Sequence, residues 1–422
     1  MAASHLFRNR WRCLLIMALC VQGNVFGELG HWTNVSCDRV LAQTLAQETT
    51  PVYPPDAPPS RRSPLPNQRQ EIEEQTVGAD YRVSALQPDN RGALWVGSWQ
   101  GLAKIDPKTG RILDRISLPN QIVGAIAQDK SGRIWVGTYE GLARVDPKTG
   151  TITAQNFALP SNRVLDLLVD QRGYLWVGTD AGLALISPDK GLLMTTVKNL
   201  PGVSANALTL DALGNLWVGT LDGLVQINTA NALIKRRITN IPGTTVQTLA
   251  SSPWGTLWIG TPTDLLEADL GIKREIRTIQ EPVKPPTTKR ANLKGAGRSP
   301  NKPGKSAKPA VKIRREVVYL AGEDPGMFKL RTVTQVRGRN VTALHFDNVS
   351  SIWVGTTTGL LRVNPFNGAT GGEIPYLPSG RILSISPDTG GKLWVGTSEG
   401  LAWVNTTTFR GYPHQTFQSV ER

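Results

Sequence analysis

The chain has 422 residues, 40% of them hydrophobic, with 42 Gly, 12 Trp and a formal net charge of +14. This composition excludes a chain disordered throughout and allows one large packed domain plus extras. Three cysteines exclude a disulfide framework, since Cys13 and Cys20 fall in an apolar leader and only Cys37 remains.

Residues 1–27 read as an export signal: Arg8, Arg10 and Arg12 precede the apolar run 13–21. A run of nine residues cannot span a bilayer as a helix, so no transmembrane helix is expected and the location is periplasmic or secreted. Residues 28–78 form a linker, rich in Pro over 51–66, that can bury little and serves as a flexible tether.

From residue 79 to 422 one phrase, Leu-Trp-Val-Gly-Thr-x-x-Gly-Leu, recurs around Trp95, Trp135, Trp176, Trp217, Trp258, Trp353 and Trp394. The spacings are 40, 41, 41, 41, 95 and 41 residues, a period that signals copies of one supersecondary unit. Six residues before each Trp stands Asp89, Asp129, Asp170, Asp211, Ser252, Asp347 or Asp388, and a Gly, or Ser350, stands three before it. Asp first and Gly fourth is a turn signature, because the carboxylate bonds the turn's own backbone. Short alternating stretches flank that turn, and two more follow the Gly-Thr-x-x-Gly-Leu phrase. Four antiparallel strands per period with no helical pattern make a propeller blade. The predicted fold is all-β, a single seven-bladed β-propeller of four-stranded blades.

The 95-residue gap is one period plus an insert. Residues 238–246 match 333–341 at an offset of 95, so the fifth blade resumes in register after a basic, disordered insert at 272–326 between its third and fourth strands. A rival count of eight blades reads 319–328 as a worn copy of the phrase. The insert carries 14 Lys/Arg against 5 Asp/Glu, and Lys284–Arg315 holds 11 basic residues and no acid. Such a stretch cannot fold alone. Lys284, Lys289, Arg290, Lys294 and Arg298 are its candidate contacts to a polyanion, with nucleic acid disfavoured because no aromatic residue from 282 to 315 is present to stack on bases.

These residues resemble the two-component regulator propeller repeat family, over roughly 79–271 and 327–422. The resemblance implies a β-propeller of the kind that senses outside the cytoplasm for a receptor. The 422 residues hold no histidine-kinase segment, so the expected function is an exported, non-catalytic binding module lacking a signalling domain of its own.

Within the blades each repeat Trp reads as core. An indole buries about 150–250 Å², on the order of 4–6 kcal/mol of gross burial before conformational entropy is subtracted. First strands line the channel, where Asp166 replaces a small residue and needs water or a partner. His345 stands alone, and no metal-spaced cluster, nucleophile elbow or phosphate loop is present, so no catalytic residue, metal or cofactor is expected. The enzyme alternative is a propeller-fold lyase or hydrolase acting on a small molecule. Strand alternation puts the second-to-third turns and the blade connections on one face, where the sequence varies between copies. Trp99, Tyr139, Glu140, Arg163, Arg339 and Arg381 on that face are the candidate site for a small ligand, glycan or protein.

Overall fold

The computed structural model describes residues 81–116, 118, 122–156, 158–282, 311–322, 324 and 326–418, all within the unit Gln75–Arg422. The leader, the linker and the basic stretch 283–310, with Lys284, Lys289, Arg290, Lys294 and Arg298, lie outside the described residues.

The first blade shows the plan. Its strands Val83–Pro88, Leu94–Ser98, Gly101–Ile105 and Ile112–Ile116 pair in chain order, each antiparallel to the next. The same meander builds seven blades, and the first strand of each packs against the first strands on either side. Those inner strands therefore ring the central channel. The segment 319–321 belongs to the insert, so the count is seven and not eight.

The repeat phrase builds the seams between blades. Every repeat Trp is at most 1% exposed, and each packs into the blade that follows: Trp95 meets Val123, Ile126 and Val136, while Trp394 meets Val83, Leu94 and Ile105 of the first blade. The ring thus closes by packing. The glycine two residues after the Trp allows that approach, since a Cβ on Gly219 would lie 2.5 Å from Val246 of the next blade. The glycine six residues after it takes the turn's positive φ, +102° at Gly223.

Asp170 shows the chemistry of the turn before the Trp. Its Oδ1 accepts the N–H groups of Arg172 (2.9 Å) and Tyr174 (3.0 Å), and its Oδ2 accepts Trp176 Nε1–H (3.2 Å). Asp89, Asp129, Asp211 and Asp347 repeat this pattern, and in the fifth blade Thr256 takes the Trp258 N–H at 3.2 Å in place of a carboxylate.

Basic side chains latch the seams from outside by donating to backbone carbonyls of the next blade, in or next to its third-to-fourth connection. Lys104 reaches Pro147 O (3.3 Å), Arg144 reaches Asp189 O (3.1 Å), Arg172 reaches Ala230 O (3.4 Å) and Arg236 reaches Gly326 O (3.1 Å). Arg331 reaches Pro365 O (2.6 Å), and Lys392 closes the ring on Lys108 O (2.7 Å).

Two blades depart from the expected pattern. The sixth has three strands, and residues 370–374 cover its outer edge through one bridge, Val363 to Thr370, with bonds from Gly371 N–H to Arg362 O (2.9 Å) and Ile374 N–H to Leu360 O (3.1 Å). Paired glycines at 371–372 make a poor strand. The insert is not structureless along its whole length, a correction to the expected disorder: Ile272–Pro282 and Val311–Ala321 pair over eleven residues as a hairpin. Ile276 lies directly across from Val317, a β-branched cross-strand pair, and Tyr319 Oη–H anchors the hairpin base on Pro253 O (2.6 Å).

Candidate functional site

The variable turns and blade entries share one rim of the channel. Trp99 lies in the second-to-third turn of the first blade, with the Arg82 guanidinium 3.4 Å above its ring. Tyr139, 40% exposed, lies in the same turn of the second blade, and the Arg163 guanidinium at the entry to the third blade stacks 4.8 Å above it. Cation–π pairs of this kind contribute about 0.5–1 kcal/mol each at exposed sites. They also hold two long side chains in one orientation. Glu140 is exposed, its N–H spent on Thr138 Oγ1 (3.1 Å).

Arg339, before the inner strand of the sixth blade, forms an ion pair with Glu373. Arg381 is exposed at the entry to the seventh blade, where its carbonyl accepts Ser398 N–H (3.0 Å). The candidate residues therefore meet in pairs, Trp99 with Arg82, Tyr139 with Arg163 and Arg339 with Glu373. None of the cavities among the described residues draws all of them together. Glu373 was not legible as a partner, because it belongs to a blade connection with no counterpart in the other copies.

Two titratable side chains face the channel. Asp166 Oδ1 accepts Leu167 N–H (2.8 Å), and Oδ2 accepts Leu208 N–H of the fourth blade (2.7 Å). Enclosure by the channel wall raises its pKa to about 7, against these two bonds. The carboxylate has found a backbone partner and joins two inner strands. His345 helps line a cavity of about 240 Å³ with Thr209, Leu249 and Phe346. Its ring faces channel solvent, and its Nδ1 lies 2.9 Å from Phe346 O; the protein packed around it holds its pKa below the usual histidine value. Asp166 and His345 stand on inner strands of the third and sixth blades.

A family profile described as two component regulator propeller matches residues 117–140, 158–181 and 376–399. Three of the seven repeats thus match the two-component regulator propeller repeat. The matched segments span the blade connection, inner strand, Asp turn and repeat phrase of the second, third and seventh blades. Those are the residues that form the seams.

Solved propellers share the fold. The extracellular domain of a hybrid two-component system from B. thetaiotaomicron superposes with a TM-score of 0.54 at 18% identity, over 78% of this chain and 40% of that one. A streptogramin B lyase gives 0.53 at 13% identity, over 76% and 92%. A chain of the mitotic checkpoint complex gives 0.54 at 15%, over 83% and 95%. This chain thus spans less than half of the two-component-system domain. A sequence search of curated proteins finds no match. Neighbours this diverse establish the fold of this chain and leave function to its own surface.

Proposed function

We propose that this regulator propeller works outside the cytoplasm as a non-catalytic recognition module, and that it binds a glycan or protein partner across the rim bearing Trp99, Tyr139, Glu140, Arg163, Arg339 and Arg381. The observation that carries the reading is the pair of arginine-on-aromatic stacks in successive blades, Arg82 on Trp99 and Arg163 on Tyr139. Stacking on Tyr139 fixes the Arg163 guanidinium plane, and the edge of a plane held in this way suits carboxylate or hydroxyl acceptors. A rim of this kind suits a broad partner more than a small enclosed ligand. A lyase or hydrolase needs an acid and a base together, and Asp166 and His345 belong to different blades.

Titration calorimetry with polygalacturonate and alginate as acidic-glycan probes, and dextran as the neutral control, tests the reading. Binding of an acidic glycan should weaken by about 1–3 kcal/mol for each of Arg163→Ala, Arg339→Ala and Arg381→Ala that is covered by the partner. Stability should move by less than about 0.5 kcal/mol for Arg381→Ala, as for a surface position, and by up to about 1 kcal/mol for Arg163→Ala and Arg339→Ala, which lose a stack and an ion pair. A triple variant that binds as tightly as the wild type removes this rim from consideration.

A further inference from the structure

Among the described residues, the seam between the sixth and seventh blades shows no basic side chain latched to a carbonyl of the next blade, whereas the other six seams do. The residue opposite the repeat Trp on the third strand is Lys104 in the first blade, Arg144 in the second and Arg362 in the sixth. Arg144 is fully engaged: Nε donates to Thr153 Oγ1 on the outer strand (3.2 Å), and Nη1 donates to Asp189 O of the next blade. Arg362 has neither partner. The stretch that replaces its outer strand is Thr370-Gly371-Gly372-Glu373-Ile374, and Glu373 there pairs with Arg339. Its Nε is buried and has no hydrogen-bond partner among the described residues. The nearest carboxylate, Asp347, lies 3.7 Å from Nη2 and already accepts Trp353 Nε1–H at 3.1 Å.

The turn facing Arg362 is altered as well. The fifth residue of the third-to-fourth turn is a glycine with positive φ in the first, second, third and sixth blades: Gly110, Gly150, Gly191 and Gly368. The seventh blade places Phe409 there at φ +53°, a left-handed conformation that is costly for a bulky side chain. Its ring lies 5.7 Å from the Arg362 guanidinium, which also sits 5.8 Å from the Trp353 ring. Between them opens a groove of about 530 Å³, lined by Ser351, Arg362, Asn364, Glu373, Ile374 and Phe409. That volume suits a small ligand. Glu373 is paired with Arg339, and the guanidinium that lines the groove is that of Arg362, held 3.7 Å from Asp347.

We infer that this groove is a binding site for a small carboxylate carrying an apolar body. The carboxylate takes the Arg362 donors that a neighbouring carbonyl takes in other seams, and the body lies against Phe409 and Ile374. The site is separate from the channel rim and does not depend on it.

Phenylacetate is the probe, with 2-phenylethanol as its neutral analogue and inorganic phosphate as an anion without an apolar body. Phenylacetate should bind the wild type in titration calorimetry, and the other two should bind at least about tenfold more weakly. Arg362→Lys keeps a cation over the Trp, as Lys104 does 5.3 Å above Trp95, so its melting temperature should match the wild type. Loss of the planar fork should nevertheless weaken phenylacetate about tenfold or more. Phe409→Gly places there the residue of the first, second, third and sixth blades, so it should leave stability unchanged or higher while binding falls. Arg144→Lys should bind as the wild type does. No measurable phenylacetate binding, or equal binding by Arg362→Lys, overturns the assignment.

Discussion

The third and seventh blades carry the same turn signature and use it differently. In the third, Asp170 is buried and gathers the backbone of its turn and the Trp176 N–H onto one carboxylate. In the seventh, the inner strand runs on to Thr389, which pairs with Lys392 across Gly390 and Gly391 at φ +64° and +76°. Two successive positive-φ residues make the tight turn that suits a hairpin's twist, so the backbone closes without a carboxylate. Asp388 is pushed outward and accepts Asn348 N–H of the sixth blade instead (2.7 Å), while Trp394 Nε1 stays buried without an acceptor among the described residues. The difference shows that the repeat aspartate acts through the groups it satisfies. Where a glycine pair satisfies the backbone, the same aspartate becomes a minor surface contact.

The widest separation between the two blades should come from removing the carboxylates. Asp170→Ala strands a buried indole N–H and two turn N–H groups, at a cost of about 1–3 kcal/mol for each that finds no water. Asp388→Ala removes one exposed contact and should cost less than about 0.5 kcal/mol. Denaturant unfolding of both variants measures the gap. Equal losses would mean that the carboxylate matters for something other than these bonds.

Much of this was legible in the chain. Trp, Asp and Gly at fixed offsets gave the blades, and the 95-residue offset placed the insert, because those residues answer to local turn geometry and to packing that every copy shares. The seventh turn was harder to read, since its motif and length are intact and only Gly390, where the third blade has Arg172, changes the backbone path. The latches were hidden too: Lys104, Arg144 and Lys392 look like solvated charges until the neighbouring blade's carbonyls are in place. The insert's composition pointed to disorder, and its two arms pair as a hairpin with Ile276 across from Val317, a long-range match that the surrounding basic residues masked. Of the candidate rim, position was readable from strand alternation, and pairing was not. The Arg163–Tyr139 stack joins two blades, and the Arg339–Glu373 pair involves a connection that breaks the repeat.

Asp129 and Asp166 extend the comparison to pH. Burial pushes Asp129 up, but bonds from Ser131 and Arg133 outweigh it and hold its pKa below the usual value. Its contribution is present above the unfolded-state pKa and is lost as pH falls through the lower folded one. Asp166 has the opposite sign. With a folded value of about 7 against 3.8 unfolded, the native state keeps a proton that the unfolded chain has released, so stability falls as pH rises from about 4 to about 7. Asp166→Asn removes that proton uptake. The melting temperature of the variant minus that of the wild type should therefore climb across this window and level off above it. Parallel profiles would show that Asp166 does not titrate there.

The smallest effect concerns the indole donors themselves. Trp176 Nε1–H ends on a carboxylate, and Trp394 Nε1–H ends on no acceptor among the described residues. A buried donor without a partner has already lost its water, so deleting it recovers that desolvation cost, whereas deleting a bonded donor loses a charge-assisted bond. Trp→Phe also removes part of a ring that is fully buried at both sites, and that packing loss is common to the pair. The difference between the variants therefore reports on the N–H. Trp176→Phe should destabilise by about 1–2 kcal/mol more than Trp394→Phe, read from urea midpoints at equal m-values. Equal losses would mean that a water or a side-chain rearrangement serves Trp394 in solution, and the seventh turn would then be as well satisfied as the third.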